Sequence, residues 1–466
     1  MMRSANTESR KVFMGIALLF IALWFIACTN RGKMPEVNNL SGIEVVNPEW
    51  SKNANIYEVN IRQFTEEGTL IAFQNHLPRL KEMGVDILWL MPIHPIGEKN
   101  RKGTLGSYYS VRDYKAVNPE FGTMEEFIDF VQTAHGMGFK VILDWVANHT
   151  AWDHPWITEK PEFYTRDSLG NMISPYDWSD VADLNYDIPE VWDAMLDALK
   201  FWVEEAGIDG YRCDVAGMVP TEFWERVRSE LDMIKPVFML AEAEQVDHHY
   251  RAFDMSYAWE LHHLFNRIAR GEKDANDLAS YFERHDTTYP AAAYRMIFID
   301  NHDENSWNGT VEERLGDASD LFAMLCYTLP GMPLIYSGQE TGLDKRLEFF
   351  EKDVIEWDLD SPLIGFYTQL SELKHDNMAL WNGRFGGTMT RINTTNDTKI
   401  FAFVRERSDS KVLVIANLSD EPAEEITLSG NLHHGKYINH FSGEHTDITE
   451  NTVFNPGSWS YQVFVR

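Results

Sequence analysis

The sequence predicts an α/β chain: a (β/α)8 barrel of the TIM type, with a short excursion domain inserted in it and a C-terminal antiparallel β-sandwich domain after it. Three observations carry this. Apolar, β-rich runs alternate with helix-length segments over most of the chain; there are eight such runs; and beyond about residue 380 strand-like runs follow one another with no helical segment between them. Strands that alternate with helices pair in parallel, and eight of them close a barrel. A chain of 466 residues has room for two or three domains at roughly 100–200 residues each, and a barrel can use more than ~200 alone.

At the N-terminus, Arg3, Arg10 and Lys11 precede an apolar run from Val12 to Ala27. That run falls short of the ~20 residues a membrane-spanning helix needs. Charged residues, a short apolar stretch and a small residue before a break make a secretory signal peptide over residues 1–27. The break, Phe25-Ile26-Ala27-Cys28, resembles a bacterial lipobox, in which the Cys is lipidated and becomes the mature N-terminus. Cys28 is therefore the expected lipidation site. The chain is expected to be an exported bacterial lipoprotein, held to the outer membrane by that lipid anchor with its body on the periplasmic or surface face. Residues 28–50 are polar, with Gly, Pro, Asn and Ser, and read as a lipid-anchored tether.

The barrel is expected over residues 51–380. Its runs are Ile56–Phe64, Ile87–Ile93, Val141–Val146, Gly210–Val215, Val237–Ala243, Met255–Leu261, Met296–Asn301 and Leu334–Ser337. Thr123–Met137, Pro189–Ala206 and Pro220–Leu231 read as helices between them; in the last, Pro220 and Thr221 supply the start. The connection after the third run is long and aromatic, with Trp152, Trp156, Tyr164, Tyr176 and Trp178. It reads as an inserted subdomain at about residues 149–183, and connections of that length are usually functional. Residues 381–466 form the β domain, with strands expected at Lys399–Arg405, Lys411–Asn417, Glu424–Leu428 and Trp459–Val465.

Composition narrows the partners. Acidic residues number 72 against 41 basic, a net charge of −31, which repels phosphate backbones and argues against nucleic acid. The 15 Trp and 18 Tyr suit stacking on sugar rings and suit a large core equally, so they decide nothing. Cys213 and Cys326 sit in apolar contexts, as buried thiols do, and form neither a disulfide framework nor a CxxC metal motif.

Barrels carry their chemistry at the C-terminal ends of their strands, so the polar residues closing each run matter most. The third run ends in Asp144-Trp145-Val146-Ala147-Asn148-His149, the fourth in Arg212-Cys213-Asp214, the fifth in Glu242-Ala243-Glu244, and the seventh in Asp300-Asn301-His302-Asp303. Taken singly, Asp144 reads as a helix cap, Arg212 with Asp214 as an ordinary ion pair, and the Asn-His-Asp as a polar turn. Four such ends in order point to one acidic cleft. Glu242 and Glu244 lie two apart and share a face; the end of the apolar run favours Glu242.

This combination resembles glycoside hydrolase family 13, the α-amylase family, from about residue 54 to the C-terminus. The resemblance rests on Asp144, Val146, Asn148 and His149; on Arg212 and Asp214 within Gly-Ile-Asp-Gly-Tyr-Arg-Cys-Asp; on Glu242; on Asn301, His302 and Asp303; on Asp183-Leu184-Asn185; and on Tyr109 to Tyr114 with Phe121-Gly122-Thr123. It implies a retaining α-glycoside hydrolase that cleaves α-1,4-glucosidic bonds of starch-type glucans or maltooligosaccharides. Asp214 would be the nucleophile, Glu242 the acid/base and Asp303 the third essential carboxylate. Tyr109, Asp144, His149, Arg212 and His302 would bind substrate or orient those that do. Retention needs two carboxyls about 5–5.5 Å apart, one ionised and one holding a proton; Arg212 favours the ionised form of Asp214, and burial among carboxylates keeps the proton on Glu242. No cofactor is required by that chemistry. Gly217 and Met218 stand where the family often carries Lys-His, which removes part of its calcium site and leaves Asn148 as a candidate remnant. An α-glucanotransferase uses the same residues and passes the sugar to another sugar. A non-catalytic glycan-binding lipoprotein would show a broken acidic trio, and this trio is intact.

Overall fold

The computed structural model describes residues 45–285 and 287–466. The signal peptide, Cys28 and the tether as far as residue 44 lie outside the described residues. The folded body begins before residue 51, where the sequence placed the end of the tether. Asn47 donates to Asp254 at 3.1 Å, Arg228 donates to the Val46 carbonyl, and the Trp50 ring lies 5.7 Å from that of Phe238. An indole that plugs the bottom of a barrel gains more from burial than from solvent, so the chain is drawn in early.

Eight parallel strands close the barrel: β1 (Ile56–Val59), β2 (Ile87–Leu90), β3 (Lys140–Trp145), β4 (Gly210–Cys213), β5 (Phe238–Ala241), β6 (Met255–Tyr257), β7 (Tyr294–Ile297) and β8 (Met332–Tyr336). Strands β1 and β8 are neighbours, as are all consecutive pairs. All eight expected runs coincide with strands; six strands are shorter than the apolar stretches that announced them, the third is equally long and the eighth one residue longer. The sixth run ends at Tyr257, and a helix takes over at Trp259–Ala269 because Leu261, Phe265 and Ile268 repeat at helical spacing. Helices Met124–Gly136 and Thr221–Asp232 match expectation within two residues. The third, Pro189–Phe201, widens to a π-type turn over Trp202–Ala206 and stops at Gly207, whose φ is +69°.

Side-chain alternation along the strands builds the site. Ile56, Ile87, Trp89, Ile142, Phe238, Leu240, Met255, Tyr257, Met296, Met332 and Leu334 fill the barrel's inside as one apolar cluster, and positions of the same parity point the same way. Two residues above Ile56 and Ile142 stand Glu58 and Asp144; above Gly210 stand Arg212 and Asp214; above Leu240 stands Glu242. The interior therefore changes from apolar to acidic as it rises. Gly210 is required at the bottom of its column: a Cβ there would lie 1.9 Å from the Phe238 carbonyl oxygen of the neighbouring strand. Residues of opposite parity, such as Tyr57, Leu88, Val141 and Tyr211, join the core under the helices. Cys213 and Cys326 are both buried.

Between β3 and β4, His149–Ala151 pairs antiparallel with Val181–Asp183, closing the inserted loop on itself. After β8, the C-terminal strands β9 (Thr388–Ile392), β10 (Ile400–Arg407), β11 (Ser410–Asn417), β12 (Gly435–Asn439), β13 (His445–Ile448) and β14 (Tyr461–Val465) form one antiparallel sheet in the order β9-β10-β11-β14-β12-β13. Phe401, Phe403, Val412 and Val414 face the barrel helices and join their core. The opposite face packs under Ala423, Ile426, Leu428 and Phe454. Only the first of these layers is a regular sheet. The expected strand Glu424–Leu428 makes just the isolated bridges Ile426 to Phe454 and Thr394 to Leu428. Among the described residues no helix is long and apolar enough to cross a membrane.

One buried cation fastens the sheet to the barrel. Arg405 on β10 is 1% exposed and donates to the carbonyls of Gly387, Thr328, Leu329 and Trp381. Among the described residues it has no carboxylate partner, and burial pulls its pKa down to about 9. Removing it strands several buried carbonyls at ~1–3 kcal/mol each before relaxation. We expect Arg405→Ala to lower the free energy of unfolding by about 3 kcal/mol in chemical denaturation; an unchanged midpoint would show that apolar packing alone holds the two domains.

Candidate active site

The site is organised around the Arg212 guanidinium, which is wholly buried at the end of β4. A buried cation is costly unless its donors are satisfied, and less so where anions match its charge. Asp144, its register partner on β3, accepts from Nη1 at 2.8 Å, and Asp214 accepts from the same nitrogen at 3.0 Å. Nη2 lies 2.8 Å from Glu242 Oε2 in an ion-pair contact rather than a well-directed hydrogen bond. Nε donates to the Tyr257 hydroxyl at 3.1 Å, and the rings of Trp89, Tyr109 and Tyr257 surround the charge at 5.2–5.7 Å.

A chain of hydrogen bonds runs on from Asp144. Its Oδ2 accepts from Trp89 Nε1 and from the Tyr109 hydroxyl, at 3.1 and 3.0 Å. The Tyr109 oxygen lies 2.8 Å from His302 Nε2, and His302 Nδ1 lies 2.5 Å from Glu58 Oε1. Because the Tyr109 hydroxyl donates to Asp144, His302 must donate to it, and its other nitrogen donates to Glu58; both ring nitrogens carry protons. The electrostatics agree. Burial alone would lower the His302 pKa, but Asp303 and Glu58 outweigh it and hold the imidazolium up to about 9. Burial pushes the Glu58 carboxyl up, against the pull of His302.

Five carboxyls, those of Glu58, Asp144, Asp214, Glu242 and Asp303, thus share two cations, Arg212 and His302. Burial raises both Asp214 and Glu242, Arg212 opposes it, and their carboxylate neighbours raise them further. At least one proton therefore stays on this pair well above the ordinary carboxylate range, as a property of the pair rather than of either residue. The backbone contributes too. Val215, directly after Asp214, has φ +36° and ψ +44°, a left-handed conformation that costs a β-branched residue on the order of 1–3 kcal/mol. That strain turns its N–H onto Glu242 Oε2, at 2.8 Å.

These groups open into one cleft of about 420 Å³, whose walls include Tyr109, His149, Asp214, Glu242, His302 and Asp303. Asp144 and Arg212 lie beneath it, fully buried, and act on the cleft through others. His149 is buried beside Trp178, their ring centroids 5.5 Å apart; burial takes its pKa down to about 4, so it faces the cleft as a neutral ring. Glu244 is in an ion pair with Arg295 at 2.6 Å and is not on the cleft wall, which separates it from Glu242. Glu58 was missed from the sequence. In Ile-Tyr-Glu-Val it passes for the solvent face of a strand, and only its parity with Ile56 inside a closed barrel marks it.

The residues of the expected calcium remnant do not fit the ion. Calcium takes about six to eight oxygens. Asn148 turns its amide nitrogen toward Asp183 Oδ1, at 3.4 Å, and the Gly217 carbonyl accepts from Gln245. Among the described residues no three His, Cys, Asp or Glu side chains gather as a metal-binding group.

Comparison with known proteins agrees with this architecture. The alpha-amylase catalytic-domain family matches residues 46–178 and 171–376. Alpha-amylase MalA of Haloarcula japonica is 28% identical over 395 residues, covering 80% of this chain, which spans 57% of the length of that protein. Alpha-amylase 3 of Dictyoglomus thermophilum is 27% identical over 462 residues, covering 82% of this chain and 88% of its own. The crystal structure of the noncanonic maltogenic alpha-amylase AmyB from Thermotoga neapolitana superposes with a TM-score of 0.82 at 28% identity, over 89% of this chain and 99% of that one.

The Glu58–His302 pair makes a prediction independent of turnover. The raised His302 pKa stabilises the fold fully below its unfolded value of about 6.5, and that contribution is lost as pH rises through about 9. Glu58→Gln removes one of the two charges holding it up. In histidine-selective NMR titration the His302 resonance should move from about 9 toward ~6.5; an unmoved titration would mean that Asp303 alone sets it.

Proposed function

The chain belongs to the alpha-amylase catalytic-domain family, and from that premise we propose that it is a retaining α-glycoside hydrolase cleaving α-1,4-glucosidic bonds of starch-type glucans or maltooligosaccharides. The observation that carries this reading is that Asp214 and Glu242 meet on one guanidinium at the floor of a single cleft. Two carboxyls held on the same cation suit the roughly 5–5.5 Å spacing of a retaining pair better than the ~6.5–9.5 Å spacing that leaves room for an attacking water.

In the proposed reaction an Asp214 oxygen attacks the anomeric carbon while Glu242 gives its proton to the glycosidic oxygen, and the leaving sugar departs. The resulting glycosyl ester on Asp214 is opened by a water that Glu242, now a base, deprotonates. Two inversions give net retention. Arg212 favours the ionised Asp214, and Tyr109 offers the retained ring an aromatic face backed by the parallel His302 ring, 5.4 Å away. The imidazolium of His302 and the Asp303 carboxylate, half exposed at the mouth, suit the hydroxyls of that ring as positive charge grows on it. This chemistry uses carboxyls alone and needs no cofactor.

We propose further that the enzyme works outside the cytoplasm as an outer-membrane lipoprotein, anchored through Cys28. The basic residues, the short apolar run and the small residue before that cysteine support this.

Asp214→Asn should lower kcat by roughly 10⁴-fold or more with an unchanged circular dichroism spectrum, and proton NMR of the first product should show the α-anomer. Undiminished turnover, or a β-anomer, would remove the mechanism. A product ladder containing sugars longer than the maltooligosaccharide supplied would assign the chain to the transferases that share this site.

A further inference from the structure

The proton donor fixes which end of the cleft takes which part of the substrate. Glu242 must face the departing oxygen, so the leaving portion lies toward the loops after β4 and β5, and the retained sugar lies over Tyr109, His302 and Asp303, toward the loops after β2, β7 and β8. In an α-glucan the retained sugar carries the non-reducing part of the chain.

The two ends are built differently. Beyond Val215, the loops after β4 and β5 form a second, open groove along Met218, Pro220, Gln245 and Asp247. At the other end a short segment of the β2 loop is tied down on both sides. Lys102, on the cleft wall, makes an ion pair at 3.2 Å with Asp180 of the inserted subdomain; Asp180 is 4% exposed. Two residues on, the Thr104 N–H and hydroxyl both donate to the Glu351 carboxylate, and the Leu105 N–H donates to the Phe350 carbonyl at 3.0 Å. Between them Gly103 has φ +62°, and a Cβ there would come within 2.5 Å of Phe350 Cβ, so only glycine lets the two loops touch. The root of the segment is also fixed: Arg62 donates to the Gly106 and Leu105 carbonyls and stacks on Tyr108 at 4.1 Å. Phe349 and Phe350, with Trp307 against both, complete the wall.

We infer that residues 102–105 are a strap that closes the donor end of the cleft, so that the enzyme removes short sugars from non-reducing chain ends instead of cutting within chains. This rests on the glycosidase reading above and adds the substrate class to it. The cleft volume of about 420 Å³ is near the lower end of the ~300–1,000 Å³ usual for small-molecule sites, in keeping with a short sugar as the part held there. Lys102 and Glu351 hold the strap across the cleft; they are specificity-determining positions with no part in the bond chemistry.

The test compares maltoheptaose labelled at its reducing end with the same sugar capped at its non-reducing end by a 4,6-O-ethylidene group. The wild-type chain should cleave the uncapped sugar at least about a hundredfold faster, the cap clashing with a closed wall. In Lys102→Ala/Glu351→Ala that ratio should fall by about tenfold or more as the strap loosens. Equal wild-type rates on the two sugars overturn the inference, as does a folded double variant whose ratio is unchanged. If the double variant does not fold, Phe350→Ala takes its place with the same expectation. No cleavage of either sugar by folded wild-type protein would instead count against the glycosidase reading itself.

Discussion

Everything in the cleft depends on one buried charge. Arg212 cannot leave the interior, because its strand neighbours fix it, and its charge is costly to hold there without anions around it. That requirement brings Asp144, Asp214 and Glu242, which belong to three different strands, to a common point. A lysine would not serve. The guanidinium reaches two carboxylates from one nitrogen, a third from the next and a tyrosine hydroxyl from Nε, in a planar spread that an ammonium lacks. The scaffold answers the same need from below: Gly210 admits the neighbouring backbone two residues before Arg212, and three aromatic rings shield the charge from the side.

Because Asp144 is shared, the arrangement extends beyond the cation. Asp144 accepts from Arg212, Trp89 and Tyr109 together, and Tyr109 passes the constraint to His302 and Glu58. Five elements of the barrel, from β1 round to β7, are joined by bonds whose donors and acceptors are all assigned by that one aspartate. A ring held at its hydroxyl and backed by a parallel imidazolium is a fixed platform, and rigidity is what a sugar-stacking position requires.

Much of this could be read in the chain. The strand ends bearing Asp144, Arg212, Asp214, Glu242 and Asp303 were legible because an apolar run that stops at a carboxylate is a local signal, and barrel closure converts order along the chain into position around a cleft. Glu58 lacked that signal; it lies inside its strand, followed by another apolar residue. The left-handed turn at Val215 was illegible for a related reason, since valine is the residue least suited to it and only the demand of Glu242 for a donor explains it. In the C-terminal domain the strands that pack on both faces, β10 and β11, announced themselves. The edge strands β9 and β13, and β12 beside β13, bury a single residue each among exposed and half-buried positions and read as loop. The start of the body was misplaced because Asn47 and Trp50 look like tether until the barrel floor they cover is known.

The imbalance of charge in the cleft also bears on how the site can work. Five carboxyls around two cations repel one another, and burial denies water to most of them; the site is held in place by the rest of the barrel against its own electrostatics. Retaining one proton is the least costly relief, and that proton is what an acid catalyst must have ready. A substrate ring brings further relief, because its hydroxyls donate to carboxylate oxygens that face the cleft, those of Asp303 among them, and the positive charge that develops at the anomeric carbon is attracted by every remaining anion. Attraction that grows as the bond breaks lowers the barrier rather than merely tightening binding. The same excess of negative charge that makes the site costly to fold therefore makes it selective for a reaction in which a neutral sugar becomes cationic.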